Sequence, residues 1–414
     1  MLSIFEASRV TPLSRESRPP VIGLAMAGGG PVGAVYELGA LRALEESIEG
    51  LRLHHLDVYV GVSAGAFIAA SLANGISCSD QCRIFMGTKH AAVKFVPNLF
   101  LRPAYREYFG RAMKVPRVLR DALLQLLRNP TSSSPAELIA ELGRVLPSGI
   151  YDNETIHTFM ERSFEEHGRG NRFEDLETEL YVIAVDLDSG KSVRFGSEGW
   201  RDVPISRAVQ ASAALPGLYP PVRIGDRYYV DGALRRTLHA SVALDRGVDL
   251  LLGINPLVPF DAGEYRDPVL PPVRKLIQGG LPLVLSQTFR ALIQSRMKVG
   301  FLRYRTSHPK ADLLLIEPDS DDEELFFTNV FSFGSRAALC EHAYQVTRAD
   351  LRRKARRLEP LLAEYDLELN HELLSDPERN ILDSVDFDLE GHAPVGRDLA
   401  TVLDDLEEAL QTPG

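Results

Sequence analysis

Cysteine is scarce in this chain of 414 residues, which has only Cys78, Cys82 and Cys340. Three are too few for a disulfide framework. Cys78 and Cys82 stand four apart, a spacing that suits one face of a helix, but the two further ligands that zinc needs are missing nearby. The pair reads as structural, in a reducing cytoplasm. No His and Asp/Glu spacing forms a ligand set elsewhere, so neither a metal nor another cofactor is expected. Long apolar runs are also missing. Nothing approaches the roughly 18 consecutive apolar residues of a membrane-spanning helix. Residues 1–20 are polar and charged, without the apolar centre of a signal peptide, and read as an arm ending in Pro19-Pro20. Nor is there an excess of positive charge: a net −11 argues against general nucleic-acid binding. That charge is unevenly spread. Residues 371–414 hold twelve acids and two arginines, a net of −10, which leaves the remainder near −1 (−11 + 10).

What is present suits a soluble globular protein: 45% of residues are apolar and 25% charged. Val21 to Ala27 is short, apolar and bounded by glycine, as a buried parallel strand is. Leu38, Leu41 and Leu44 then recur at helical spacing between Ala34 and Glu49. A second strand is predicted over Leu56–Gly61 and a small-residue helix over Ala64–Ala73. Strand, loop, helix, strand, turn, helix is the order of a parallel α/β sheet. Residues 78–178 are helical in pattern, broken by prolines and by the loop Thr131–Pro135. Strands are predicted again at Leu180–Val185, Ser192–Phe195, Val222–Ile224, Tyr228–Val230 and Leu250–Ile254. A proline-rich excursion over 256–310, a last strand at Asp312–Ile316 and a long charged helix or helix pair from Ser335 to Tyr365 complete the chain before its acidic end.

Three local features could carry chemistry. Gly61-Val62-Ser63-Ala64-Gly65 joins a predicted strand to a predicted helix. A serine on such a turn is held with Oγ exposed, flanking glycines relieve the turn, and the helix amino terminus favours developing negative charge. Gly28-Gly29-Gly30-Pro31-Val32-Gly33 lets backbone N–H groups approach an anion, as a phosphate cradle or an oxyanion hole does. It also matches the dinucleotide-binding spacing through Gly28, Gly30 and Gly33. That site needs an acid at the end of the second strand, where this chain has Gly61-Val62-Ser63. Finally, Asp231-Gly232-Ala233 ends an aromatic strand. By itself Asp-Gly is commonly a hairpin turn. A Ser-His-Asp triad through His239 fits poorly, because only 62 residues precede Ser63 and few strands can come before it; His239 reads as capping or packing the next helix.

Together these features resemble the patatin-like phospholipase family of lipid acyl hydrolases. The resemblance covers roughly residues 21–255 and rests on four blocks in order: the glycine loop at 28–33, the serine elbow at 61–65, Ser212-Ala-Ala-Leu-Pro216 and Asp231-Gly232-Ala233. It implies a three-layer α/β/α sandwich with a mostly parallel central sheet, a helical insertion at about 78–178 and a helical C-terminal extension. Around the family-like domain at 21–255, the arm 1–20, the segment 256–370 that completes the fold, and the acidic tail 371–414 are the expected divisions. The implied chemistry is a Ser63 nucleophile with Asp231 as its base, and an oxyanion hole from the backbone of Gly28, Gly29 and Gly30. Gly33, Gly61, Gly65, Gly232 and Ala233 support these motifs. The chain departs from the family at Val32, where a basic residue is common. A non-catalytic lipid-binding or regulatory protein on the same fold is therefore the alternative to a serine acyl hydrolase. A solvated aspartate, with a pKa of about 3.9, is a poor base at pH 7, so Asp231 is expected to be shielded from water.

Two stretches combine basic and apolar residues. Residues 93–128 hold eight Lys/Arg against Glu107 and Asp121, and residues 268–311 hold eight Lys/Arg and no acid. Basic amphipathic helices of this kind dock on anionic bilayers, although helices covering a sheet can show the same composition. The expected setting is cytoplasmic with peripheral membrane contact through these stretches, a lipid substrate and no nucleic acid. An acidic tail folded back on the basic faces would weaken that contact.

Overall fold

The computed structural model describes residues 1–7, 18–87, 93, 95–113, 115, 116, 120, 146–261, 276–328 and 333–385. The first elements are β1 (Leu2–Phe5), β2 (Ile22–Met26), α1 (Gly30–Ser47), β3 (Ile48–Glu49), β4 (Val58–Val62), α2 (Ala64–Ala73) and α3 (Cys78–Met86). Next come α4 (Tyr105–Ala112), α5 (Glu154–Glu166), β5 (Glu179–Asp186), β6 (Ser192–Phe195), α6 (Ile205–Ser212), β7 (Val222–Ile224), β8 (Arg227–Asp231), α7 (Ser241–Leu244) and β9 (Leu250–Ile254). The last are α8 (Gly280–Ser307), β10 (Asp312–Ile316), α9 (Glu323–Phe327), α10 (Phe333–Ala363), β11 (Glu368–Leu369), α11 (His371–Ser375) and α12 (Ile381–Ser384).

The main sheet is mixed rather than mostly parallel. Its centre, β10-β9-β2-β4-β5, is parallel throughout. The margins are antiparallel: β1 on β10, β6 and β8 on β5, and β7 on β8. The connections account for this split. Parallel neighbours need a crossover, which the helices supply, whereas the short links from β5 to β6 and from β7 to β8 can only reverse the chain.

Each central strand alternates its side chains between two apolar layers. Leu24 and Met26 of β2 and Tyr59 of β4 face one layer, with Leu41 of α1, Ile68 of α2 and Leu351 of α10. Ala25 of β2 and Val58, Val60 and Val62 of β4 face the other, with Val242 of α7 and Met297 and Phe301 of α8. Helices therefore cover both faces, giving an α/β/α arrangement.

Three regions differ from the sequence reading. The first residues are not all a polar arm, since Leu2–Phe5 forms an edge strand with Leu2 and Ile4 buried and Phe5 stacked on Phe301 at 5.3 Å. Four alternating residues beside charged neighbours are too short a signal to stand out. Residues 280–307 form one helix of 28 residues inside the proline-rich excursion. Pro282 sits in its first turn, where a missing N–H breaks no helical bond. Residues 371–385 pack onto the body, with the Arg42 guanidinium donating to the Ser384 carbonyl at 2.7 Å and Arg83 to the Val385 carbonyl at 2.9 Å. The loop 131–135, the end of the stretch 93–128, residues 268–275 and the acidic residues 386–414 lie outside the described residues.

Candidate active site

One strand organises the site. β4 pairs with residues 179–183 of β5, and β8 with residues 184–186. β6 pairs with residues 182–185 and so overlaps both partners. A strand has two edges, so β6 must hold one while β4 and β8 share the other. They approach along it from opposite ends. Ser63 follows the last residue of β4, and Asp231 is the last residue of β8. The junction brings these two residues, 168 apart in sequence (231 − 63), to the same place on the sheet.

Ser63 turns the chain from β4 into α2 with φ 53° and ψ −123°. A left-handed φ is strained for a residue with a Cβ, costing about 1–3 kcal/mol, and persists only where the surroundings impose it. Here they do. A Cβ on Gly65 would lie 2.3 Å from the Ala27 carbonyl oxygen, so only glycine lets the first turn of α2 settle against the end of β2. The Ser63 N–H donates to Ser212 Oγ at 2.8 Å, and Ser212 Oγ donates to the Ile183 carbonyl at 2.6 Å. One hydroxyl is thus spliced between β4 and β5 where the elbow leaves the sheet.

Asp231 is held by the same segment, its N–H donating to the Ala214 carbonyl at 3.0 Å. Ser212-Ala-Ala therefore positions both members of the pair, a role for this block that the sequence alone did not show. The Asp231 side chain is buried, and its Oδ1 accepts the Ala233 N–H at 2.8 Å. Burial pushes its carboxyl up to about 6, against the downward pull of the Ala233 N–H and of the Ser63 hydroxyl, which hydrogen-bonds to the carboxylate. It is mostly ionised at pH 7, yet a far stronger base than a solvated aspartate.

The glycine loop completes the surroundings. A Cβ on Gly28 would lie 3.0 Å from Ser63 Cβ and 3.7 Å from its Oγ, so glycine keeps the backbone beside the hydroxyl. The amides of Gly28, Gly29 and Gly30 meet no acceptor among the described residues. Gly29 and Gly33 pack on Pro256, Gly61 on Ala66, Gly232 on Ile183 and Val62, and Ala233 on Gly28. Val32 is half-buried against the apolar layer of α1. The buried His239 sits at the start of α7, its carbonyl accepting from Val242 N–H at 2.9 Å. Burial and nearby arginines push its ring down to about 3, and its hydrogen bond is to the Gly232 backbone rather than to Ser63 or Asp231.

A family model described as patatin-like phospholipase matches residues 24–244. A probable lipid hydrolase of invertebrate iridescent virus 6 is 21% identical over 244 residues, which is 56% of this chain and 67% of the viral protein. An uncharacterized NTE family protein of Mycobacterium tuberculosis is 26% identical over 234 residues, 56% of this chain but only 29% of that protein. Among solved structures, VipD from Legionella pneumophila aligns at 18% identity over 65% of this chain and 54% of its own, with a TM-score of 0.33. The type III effector ExoU aligns at 18% identity over 95% of this chain and 64% of its own, with a TM-score of 0.35.

Proposed function

The chain belongs to the patatin-like phospholipase family, and on that premise we propose that it is a serine acyl hydrolase that cleaves fatty-acyl esters of phospholipids or other glycerolipids through Ser63 and Asp231. The observation that carries this reading is the convergence of a strained serine, a buried carboxylate raised to about 6 and three amides that meet no acceptor among the described residues. Asp231 takes the proton of Ser63 as Oγ attacks the ester carbonyl. The developing oxyanion is stabilised by the amides of Gly28, Gly29 and Gly30, which need no reorganisation as charge appears. The tetrahedral species then expels the lipid alcohol, which receives the proton from Asp231, leaving an acyl-serine. Water attacks that ester, losing its proton to Asp231, and Ser63 leaves re-protonated with release of the fatty acid. Asp231 acts in both halves because burial places its pKa within reach of neutrality.

Intact mass after treatment with a fluorophosphonate probe tests the proposal. One adduct is expected on the wild type, none on Ser63→Ala, and labelling slower by about a hundredfold or more on Asp231→Asn. Well-folded wild-type protein that takes up no probe would overturn the hydrolase reading in favour of a non-catalytic lipid-binding protein.

A further inference from the structure

The described surface is uneven in apolarity. Thirteen of its seventeen exposed large apolar side chains fall in two segments, residues 96–150 and 277–299. Both adjoin the candidate site. In the first, Ile150 N–H donates to the Leu218 carbonyl at 3.0 Å, and Tyr219 N–H to the Leu215 carbonyl at 2.9 Å, one residue beyond the Ala214 carbonyl that holds Asp231. In the second, Arg296 donates to the Leu234 carbonyl at 3.1 Å, three residues from Asp231, and Arg290 to the Pro256 carbonyl at 3.1 Å, beside the glycine loop.

α8 explains its own orientation. At roughly 100° per residue, Leu281, Leu285, Leu292 and Val299 fall within about 40° of one another, and Met297 and Phe301 lie opposite. The second pair is buried on the sheet, whereas the first four are between 45% and 70% exposed. Such a helix would ordinarily present acids and lysines to water. α8 has no acid among its 28 residues and carries five Lys/Arg. On the other wall Phe109 is 70% and Met113 82% exposed.

We propose that α8 inserts this stripe into the headgroup region of an anionic bilayer, with the Phe109–Met113 wall as a second contact, so that Ser63 opens toward the lipid between them. An anionic surface is the occupant that the charge selects: on α8 the exposed Arg296 and Arg303 accompany the apolar stripe and no carboxylate of the helix repels phosphate or phosphatidylserine, while Glu107 on the α4 wall is paired with Arg111 at 3.0 Å. The substrate consequence rests on the acyl-hydrolase reading; the docking itself does not.

Flotation with phosphatidylserine-containing and pure phosphatidylcholine vesicles separates the two. Wild type and Ser63→Ala should both float with the anionic vesicles. A Leu285→Glu/Leu292→Glu variant that melts cooperatively at the wild-type temperature should bind them at least about tenfold more weakly. Arg303→Glu should lose binding to anionic vesicles only. Wild type that ignores anionic vesicles overturns the proposal, as does a double variant that binds like wild type. A loss of dimer in the double variant with unchanged flotation also overturns it, since the stripe would then hold a second copy. Wild type that floats but takes no fluorophosphonate would sink the hydrolase reading and leave the docking intact.

Discussion

Helices α1 and α8 both flank the candidate site, and their carboxylates are distributed against expectation. α1 is enclosed by the sheet on one side and α10 on the other, and it still contains Glu37, fully buried with neither oxygen partnered among the described residues. Burial holds that carboxyl well above the usual range. α8 leaves half its circumference in water and contains no acid at all. Burying an unpaired acid costs free energy, while displaying one on a wet helix costs almost nothing. Glu37, one of three acids in α1, is therefore tolerated by a helix that is otherwise overdetermined by packing. On the proposed docking, an anionic bilayer would repel carboxylates on α8, which accounts for their absence from that helix.

If α1 is locked and α8 is free on its outer face, substitutions should rank accordingly. The largest effect belongs to Gly39→Leu in α1, where a Cβ would lie 2.2 Å from the Cys340 carbonyl oxygen of α10. No folded protein is expected, as checked by solubility and circular dichroism. Leu41→Ala, in the same helix and fully buried, should cost about 2–5 kcal/mol in urea unfolding. Ser212→Ala should come next. It removes the acceptor of Ser63 N–H and the donor to Ile183, costing about 1–3 kcal/mol, and slows fluorophosphonate labelling as the elbow loses its splice. Leu285→Ala in α8 should change stability by less than about 0.5 kcal/mol. A loss at Leu285 as large as that at Leu41 would mean that the two helices are equally committed to the fold, and the comparison would fail.

The chain announces its local features more clearly than its meeting points. The glycine loop, the serine elbow and Asp-Gly-Ala are short motifs whose turns demand particular residues, so each stands out locally, although Asp-Gly alone reads as a hairpin turn and only the four blocks in order suggest a site. Leu250–Ile254 and Asp312–Ile316 are largely apolar runs between clear breaks, Ser192–Phe195 alternates polar and apolar residues, and the structure places all three at those bounds. What could not be read was which edges these strands share. Nothing in residues 58–62 or 227–231 announces that both chains end on one edge of β5, because that depends on β6 holding the other. Ser212 was visible as part of a block, but its hydrogen bonds reach 149 residues back to Ser63 and 29 back to Ile183. The three cysteines looked scattered. They meet because α10 returns across α1, which brings Cys340 beside Cys82 while Cys78 and Cys82 face the Leu38 carbonyl at 3.8 and 3.9 Å.

Asp231 acting as the base for Ser63 is the central step of the proposed chemistry, and the pH dependence of fluorophosphonate labelling tests it directly. Because burial raises its pKa, Asp231 binds a proton as pH falls through about 6, and the protonated acid cannot accept the Ser63 proton. The rate should be level above pH 7, be halved near pH 6 and fall about tenfold per unit below it. In Asp231→Asn the residual rate should lack this step. A step near pH 4 would mean that Asp231 is solvated, and a step near 6 that survives in Asp231→Asn would assign the proton to another group; either result would contradict the account.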